Sequence, residues 1–268
     1  MESDDDVYRL LPLHQACVQG NTRVVNTLLG LGYNPNEKDG VYGKTPLHLL
    51  ACVSQLSRTG EIINDNILLC LDLLLQHGAD PSIVCNKMKT ALHYACMFAN
   101  YEFLMRLLNH GNVTDFIDMK DEDDETALIK LAFRTGPDIR FDYGFGFEDI
   151  AEKMIILGAN VNYRNRYGST AIMGACTKGD KALIRVLLDN GANINMSMED
   201  GVTPLHLFCG SDFRGKRLPL IRFLIQQGAN IDAIDTYGNT PLAYFRGPDR
   251  KAVDAFLKDW NQIHKVRK

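Results

Sequence analysis

The chain has 268 residues, 46% of them hydrophobic, enough to bury a sizeable core without disulfide staples. Its formal net charge of −4 gives no global pull toward nucleic acid or an anionic membrane, so a general nucleic-acid role is disfavoured. The opening MESDDDVYRLL is acidic where a secretory leader needs basic residues, and no stretch has the length of a membrane span.

Seven cysteines form an odd set without a CxxC pair, which points to reduced thiols and a cytoplasmic setting, also compatible with the nucleus. In that setting the triplets Asn112-Val113-Thr114 and Asn195-Met196-Ser197 carry no weight as glycosylation sequons.

Along the chain the predicted elements recur in one register. LPLH begins at Leu11, TPLH at Thr45, TALH at Thr90, TALI at Thr126, TAIM at Thr170, TPLH at Thr203 and TPLA at Thr240. Each leads into a short first helix, then a second helix with apolar residues at i, i+1, i+4 and i+5, then a glycine and a polar turn. In the third unit the stripe is Phe103, Leu104, Leu107 and Leu108, ended by Gly111; in the fifth it is Leu183, Ile184, Leu187 and Leu188, ended by Gly191. That glycine is expected to take the left-handed conformation that closes the last turn, and the Thr to cap the first helix.

His14 with Cys17, His93 with Cys96 and His206 with Cys209 stand at the i, i+3 spacing that two metal ligands would use. Cys17, Cys96, Cys176 and Cys209 share one register position, which holds Ala51 and Ala132 in the second and fourth units. A position that accepts Ala or Cys wants a small buried side chain, so no metal site is predicted there. No catalytic or cofactor-binding set is predicted either. Cys52 and Cys85 fall off the register, with no activating neighbour beside them.

Seven units in phase, with G-x-TPLH elements, paired aliphatics and GADPS, GANVN, GANIN or GANID tails, resemble the ankyrin repeat over nearly the whole chain. The resemblance implies an all-α repeat solenoid of helix-turn-helix units with β-hairpin loops, stacked because one unit cannot bury its apolar face alone. It places repeats at approximately 7–39, 40–84, 85–120, 121–164, 165–197, 198–234 and 235–260 of a single domain spanning 1–268. An acidic segment, 1–6, precedes them and a basic tail, 261–268, follows. His14, His48, His93 and His206 fall at the family's histidine position, where the ring ties adjacent hairpins together. The seventh unit keeps Val253 and Leu257 but sets Asp254 and Lys258 outward, as a terminal cap would, with Trp260 expected to fold back on the last helix.

The Thr-to-Thr spacings of 34, 45, 36, 44, 33 and 37 put the extra residues in units two, four and six, between first and second helices. Leu50, Leu131 and Phe208 replace alanine in those units and predict longer or shifted first helices. The insertions and the seventh unit carry Arg58, Arg134, Arg140, Arg214, Arg217, Arg246 and Arg250, either a binding edge or tolerated variation. Phe141, Tyr143, Phe145 and Phe147 alternate, which suggests an extended segment that packs down on neighbouring helices or anchors a partner. Gly144 and Gly146 lack the strand and lysine of a nucleotide loop.

The family's partner contacts map here onto Tyr8, Tyr42, Lys44, Lys87, Lys89, Asp123, Arg166, Tyr167 and Tyr237 in the hairpins, with Arg134 and Lys178 on first helices; Arg214 and Arg246 join them as candidates from the Arg-bearing edge. Asp121 to Glu125 form an acidic run between basic neighbours, a pattern that would orient a partner. The resemblance therefore implies a non-enzymatic adaptor, scaffold or inhibitor, monomeric alone, that holds another protein or peptide segment on the concave hairpin and inner-helix face. Two other readings stand: a ubiquitin-ligase substrate receptor, whose cullin-binding box would lie outside these residues, and a binder of a small anionic ligand or single-stranded RNA at the Arg-bearing edge. Asn162 and Asn195 sit where asparaginyl hydroxylases modify the family.

Overall fold

The computed structural model describes residues 11–53, 65–98, 101–134, 146–211, 217–245 and 250–265, and among these every regular element is helical. The chain divides into two compact units, residues 1–160 and 161–268.

In the first unit the first helices of successive repeats are α1 (Pro12–Val18), α3 (Pro46–Val53), α5 (Ala91–Phe98) and α7 (Ala127–Ala132). The second helices are α2 (Thr22–Gly30), α4 (Asp65–Gln76), α6 (Tyr101–Leu108) and α8 (Phe147–Ile156). Helix α1 packs on α3, α3 on α5 and α5 on α7, while α2 packs on α4, α4 on α6 and α6 on α8. Helices α3 and α5 are apolar nearly all round because they are covered by first helices on both sides and by their own second helices behind. The second helices bury one stripe each: Phe103, Leu104, Leu107 and Leu108 on α6 are all removed from solvent. Each such side chain contributes about 1.5–3 kcal/mol.

The second unit repeats the plan with α9 (Ala171–Lys178), α10 (Lys181–Asp189), α11 (Pro204–Gly210), α12 (Arg217–Gln226) and α13 (Arg250–Lys265). A 3-10 turn, Pro241–Tyr244, stands in place of the last first helix and packs on α11. Helix α10 starts at Asp180, whose carboxylate accepts the Leu183 N–H at 3.1 Å.

Second helices close on a left-handed glycine, such as Gly78 (φ 84°) and Gly191 (φ 85°). The third repeat departs from the expected pattern. Gly111 is not left-handed; Asn112 (φ 70°) takes the role one residue later, and a 3-10 turn, Val113–Asp115, follows. Asparagine is among the few side chains that tolerate this region.

The expected β-hairpins are tight turns, and no strand occurs among the described residues. Each turn is closed by its own backbone, for example Cys85 N–H to Lys89 O at 2.9 Å and Asp235 N–H to Asn239 O at 3.1 Å. Neighbouring turns are joined by backbone bonds, Asn86 N–H to Tyr42 O (2.9 Å) and Glu122 N–H to Lys87 O (3.1 Å) in the first unit, Thr236 N–H to Asp200 O (2.8 Å) in the second. That is too little pairing to build a ladder.

The threonines cap their helices together with histidine: Thr90 Oγ1 accepts the His93 N–H at 3.4 Å, and Thr203 with His206 forms a reciprocal capping box. In His48, Nε2 donates to the Lys89 carbonyl at 2.9 Å, while Nδ1 accepts the Thr45 N–H at 3.1 Å and its hydroxyl at 2.8 Å. A carbonyl only accepts, so the proton sits on Nε2 and the ring is neutral. His93 repeats this with Thr90 and the Glu125 carbonyl, and His206 with Thr203 and the Asn239 carbonyl. Where the motif lacks one member, a polar atom is stranded. His14, preceded by Leu11, has a partnerless Nδ1, and Thr126 and Thr170, followed by Ile129 and Met173, have partnerless buried hydroxyls.

Two further expectations need correcting. Where both ends are described, the first helices of the enlarged repeats are not longer: α7 and α11 span 6 and 7 residues against 7 and 8 for α1 and α9. Leu50, Leu131 and Phe208 are fully buried and fill depth instead. Trp260 does not fold back, because α13 runs through it to Lys265 and takes in the start of the basic tail; its ring lies 5.9 Å from that of Phe256, one helical turn earlier.

Candidate partner-binding surface

The turns and first helices of the first unit form one surface built from successive repeats. On the turn before α3, Tyr42 is 59% exposed. The ammonium of Lys44 stands 5.6 Å from the Tyr42 ring centre and 4.6 Å from that of Tyr94 on α5. It also reaches Cys52 Sγ at 3.7 Å, and no carboxylate pairs with it among the described residues. On the first helices Leu49, Met97, Phe98 and Phe133 are half-buried, and the Phe98 ring is stacked 6.3 Å from Tyr94, one of the two rings at Lys44.

Burial raises the Cys52 thiol, and Lys44 only partly offsets it, so Cys52 is not an activated thiolate. Burial likewise raises Cys70 to about 11 and Cys209 to about 12, and pushes Cys17, Cys96 and Cys176 higher still. These thiols serve as small apolar side chains. With the His Nε2 atoms committed to backbone carbonyls, no group of three or more His, Cys, Asp or Glu side chains is placed to hold a metal among the described residues.

The acidic run begins inside the fold. Asp121 is buried, and its Oδ1 accepts the Asp123 and Glu125 N–H groups at 2.9 and 3.0 Å. Its Oδ2 lies 2.9 Å from the Lys89 ammonium and 2.8 Å from that of Lys130. Burial alone would raise this carboxyl, but the two lysines and the backbone donors outweigh it and hold it well below the usual carboxylate range. Lys130 also pairs with Glu125, and Lys87 with Glu122 at 3.1 Å. Lys89 is 7% exposed, so its expected partner contact is corrected to an internal ion pair. Asp123 is half-buried at the same turn.

Three described arginines, two at the enlarged loops and one in the seventh repeat, bond within the fold. Arg134 donates to the Leu131 carbonyl at 3.4 Å and lies 4.4 Å over the Phe147 ring. Arg217, 8% exposed, donates to the Cys209 carbonyl at 3.0 Å and to that of Ser211. Arg250 donates to the Leu242 and Phe245 carbonyls at 2.7 and 3.4 Å and pairs with Asp254. Each satisfies carbonyls left open at the end of a first helix. Arg58, Arg140, Arg214 and Arg246, with Tyr8, Phe141, Tyr143 and Phe145, lie outside the described residues.

In the second unit Tyr167 and Tyr237 are 53% and 82% exposed, Arg166 is exposed and Lys178 half-buried. Asn162 and Asn195 spend their carboxamides on the next loop. Asn162 donates to the Gly191 carbonyl at 2.9 Å and accepts the Asn193 N–H at 2.8 Å; Asn195 does the same with Gly228 and Asn230, both at 2.8 Å.

A family model of three ankyrin repeats in tandem matches residues 61–139 and 143–235, and a single-repeat model matches 10–40. The chain belongs to the ankyrin repeat family. Among curated relatives, human Rabankyrin-5 is 27% identical over 210 residues, and palmitoyltransferase AKR1 of Lachancea kluyveri 28% over 199. Each match covers 74% of this chain but only 18% and 24% of the relative, so this ankyrin chain spans about a fifth of their length. A fowlpox virus ankyrin repeat protein, FPV230, is 25% identical, with 73% of this chain and 90% of the viral protein covered. The ankyrin repeat domain of Bcl-3, described as a unique member of the IkappaB family, superposes with a TM-score of 0.64 at 27% identity, covering 91% of this chain and 97% of that domain. The human ASB11 ankyrin domain gives 0.70 at 21%, covering 91% and 96%, a likeness of fold alone. Ankyrin repeats are, in general, non-catalytic protein-interaction modules.

Proposed function

We propose that this ankyrin chain is a non-enzymatic adaptor or inhibitor that holds a segment of another protein against the turns and first helices of residues 11–134. The observation that carries this is Lys44, set against two tyrosine rings with no carboxylate partner among the described residues; the half-buried Leu49, Met97, Phe98 and Phe133 of the first helices would supply an apolar strip. Interfaces are anchored by aromatic side chains and by charges at the edge of an apolar centre. The partner segment presents apolar side chains to that strip and a carboxylate to Lys44, while Tyr42 covers the junction. Buried reduced cysteines support a cytoplasmic or nuclear setting. Hydroxylation at Asn162 and Asn195 belongs to the same proposal, and peptide mass spectrometry of protein from its native cell tests it.

The test of the main reading is affinity capture with the wild-type chain and with a Tyr42→Ala, Lys44→Glu double variant of unchanged thermal stability. Loss of the captured protein from the variant supports the reading. Undiminished capture places the contact elsewhere.

A further inference from the structure

Charge is unevenly divided along the chain. Residues 1–160 carry 13 Lys and Arg against 23 Asp and Glu, whereas residues 161–268 carry 16 against 10. The second unit is thus basic although the whole chain is acidic, a segregation that favours an anionic partner for that unit.

The seams between second helices show how each unit uses its cations. In the first unit Arg106 on α6 crosses to α4 and pairs with Asp72, so its charge is cancelled within the fold. In the second unit the same crossing is made onto neutral rings. Lys181 and Arg185 of α10 both stand over the Phe223 ring of α12, at 5.1 and 5.7 Å, and Arg222 of α12 stands over the Phe256 ring of α13 at 5.0 Å. A ring orients a cation and attracts it without neutralising it. Lys181 and Arg185 are also like charges one helical turn apart, an arrangement that costs an isolated helix a few tenths of a kcal/mol. All three side chains are exposed, and none has an ion-pair partner among the described residues. Asp180 caps α10 and Asp254 pairs with Arg250, while Asp189, one turn after Arg185, and Asp259 near the middle of α13 form no ion pair with these three cations among the described residues.

We propose that the outer face of α10 and α12, at Lys181, Arg185 and Arg222, is a second docking surface whose partner is an acidic protein segment. The supporting rings decide the class of partner. Phe223 is 8% exposed, so it offers no platform on which a nucleic-acid base could stack. Among the described residues the large exposed hydrophobic side chains of this unit, Tyr167, Ile234 and Tyr237, lie on its turns and not on α10 or α12, so none of them accompanies the cations as an apolar anchor into a membrane. Two guanidinium groups and an ammonium, pre-oriented across a helix seam, match carboxylates spaced along one segment. This surface is separate from the turn-side surface proposed above.

The test is fluorescence anisotropy of a labelled polyglutamate peptide with the full chain at low and high salt. Wild type should bind, more weakly as salt rises, and Lys181→Glu, Arg185→Glu, Arg222→Glu should weaken binding about tenfold or more. The corresponding three Gln substitutions serve the same purpose if charge reversal impairs folding. Lys251→Glu with Lys258→Glu should leave binding within about twofold, since diffuse attraction alone would be screened equally. The proposal is overturned by no polyglutamate binding, by equal loss in the control variant, or by tighter binding to single-stranded oligonucleotide or to phosphatidylcholine vesicles containing phosphatidylserine.

Discussion

Lys130 places its ammonium 2.8 Å from Asp121 Oδ2, a carboxylate oxygen buried beneath the turn that carries it. With Lys89 on the other side, this triad fixes the turn before α7 to the turn before α5. Asp121→Asn removes the carboxylate that both buried ammonium groups share, leaving Lys130 with Glu125 alone and Lys89 with Glu122 at 3.9 Å, and should cost about 1–3 kcal/mol, read by urea or thermal unfolding. Because the Asp121 pKa is depressed in the folded state, its contribution is fully present above the ordinary carboxylate pKa and is lost as pH falls below it. The variant should therefore lose less stability than wild type on going from neutral to strongly acidic solution.

Histidine gives a second, separate acid response. Burial lowers His48 and His93 from 6.5 to about 4, and the backbone hydrogen bond each donates offsets only part of it. The unfolded chain binds protons that the folded rings refuse, so stability falls as pH drops from 6.5 toward 4, by up to about 3 kcal/mol per ring. His93→Gln should cost about 1–3 kcal/mol at neutral pH, through the unpartnered Glu125 carbonyl, and should flatten this limb. Denaturation at stepped pH measures both.

Threonine at the head of a repeat should matter only where a histidine answers it. Thr90→Val breaks the hydroxyl bond to His93 and should cost about 1 kcal/mol, whereas Thr126→Val and Thr170→Val remove buried hydroxyls that have no partner and should be neutral or slightly stabilising. A uniform loss at all three, in calorimetry, would contradict this division.

Arg217 locks the end of α11 through the Cys209 and Ser211 carbonyls. Arg217→Met keeps much of the apolar stem but strands those carbonyls, and should destabilise by about 1–3 kcal/mol, while leaving partner capture by the first unit unchanged.

Much of this was legible in the sequence, since the register is written in residues whose roles are local. The TPLH element, the aliphatic pairs and the Ala-or-Cys position each answer to a backbone requirement or a packing depth, and each falls where its spacing put it. The family's histidine role was legible too, because His48 and His93 do reach the next turn. What escaped were contacts across the register. Nothing at Arg217 distinguishes a side chain that caps its own helix from one offered to a ligand. Asp121 to Glu125 reads as a solvated run until folding sets Lys89 and Lys130 on either side of the first carboxylate. Asn112 displaced Gly111 because the third turn closes one residue later, a choice the glycine pattern does not foretell.

The central claim is that Lys44 and its two tyrosines mark the surface where another protein docks. Hydrogen exchange of the chain alone and with its captured partner tests this most directly. The account predicts slowed exchange in the turns at residues 39–45 and 85–90 and along α3 and α5, with the backs of α2 and α4 unchanged. Protection confined to those second helices, with the turns exchanging as before, would contradict it.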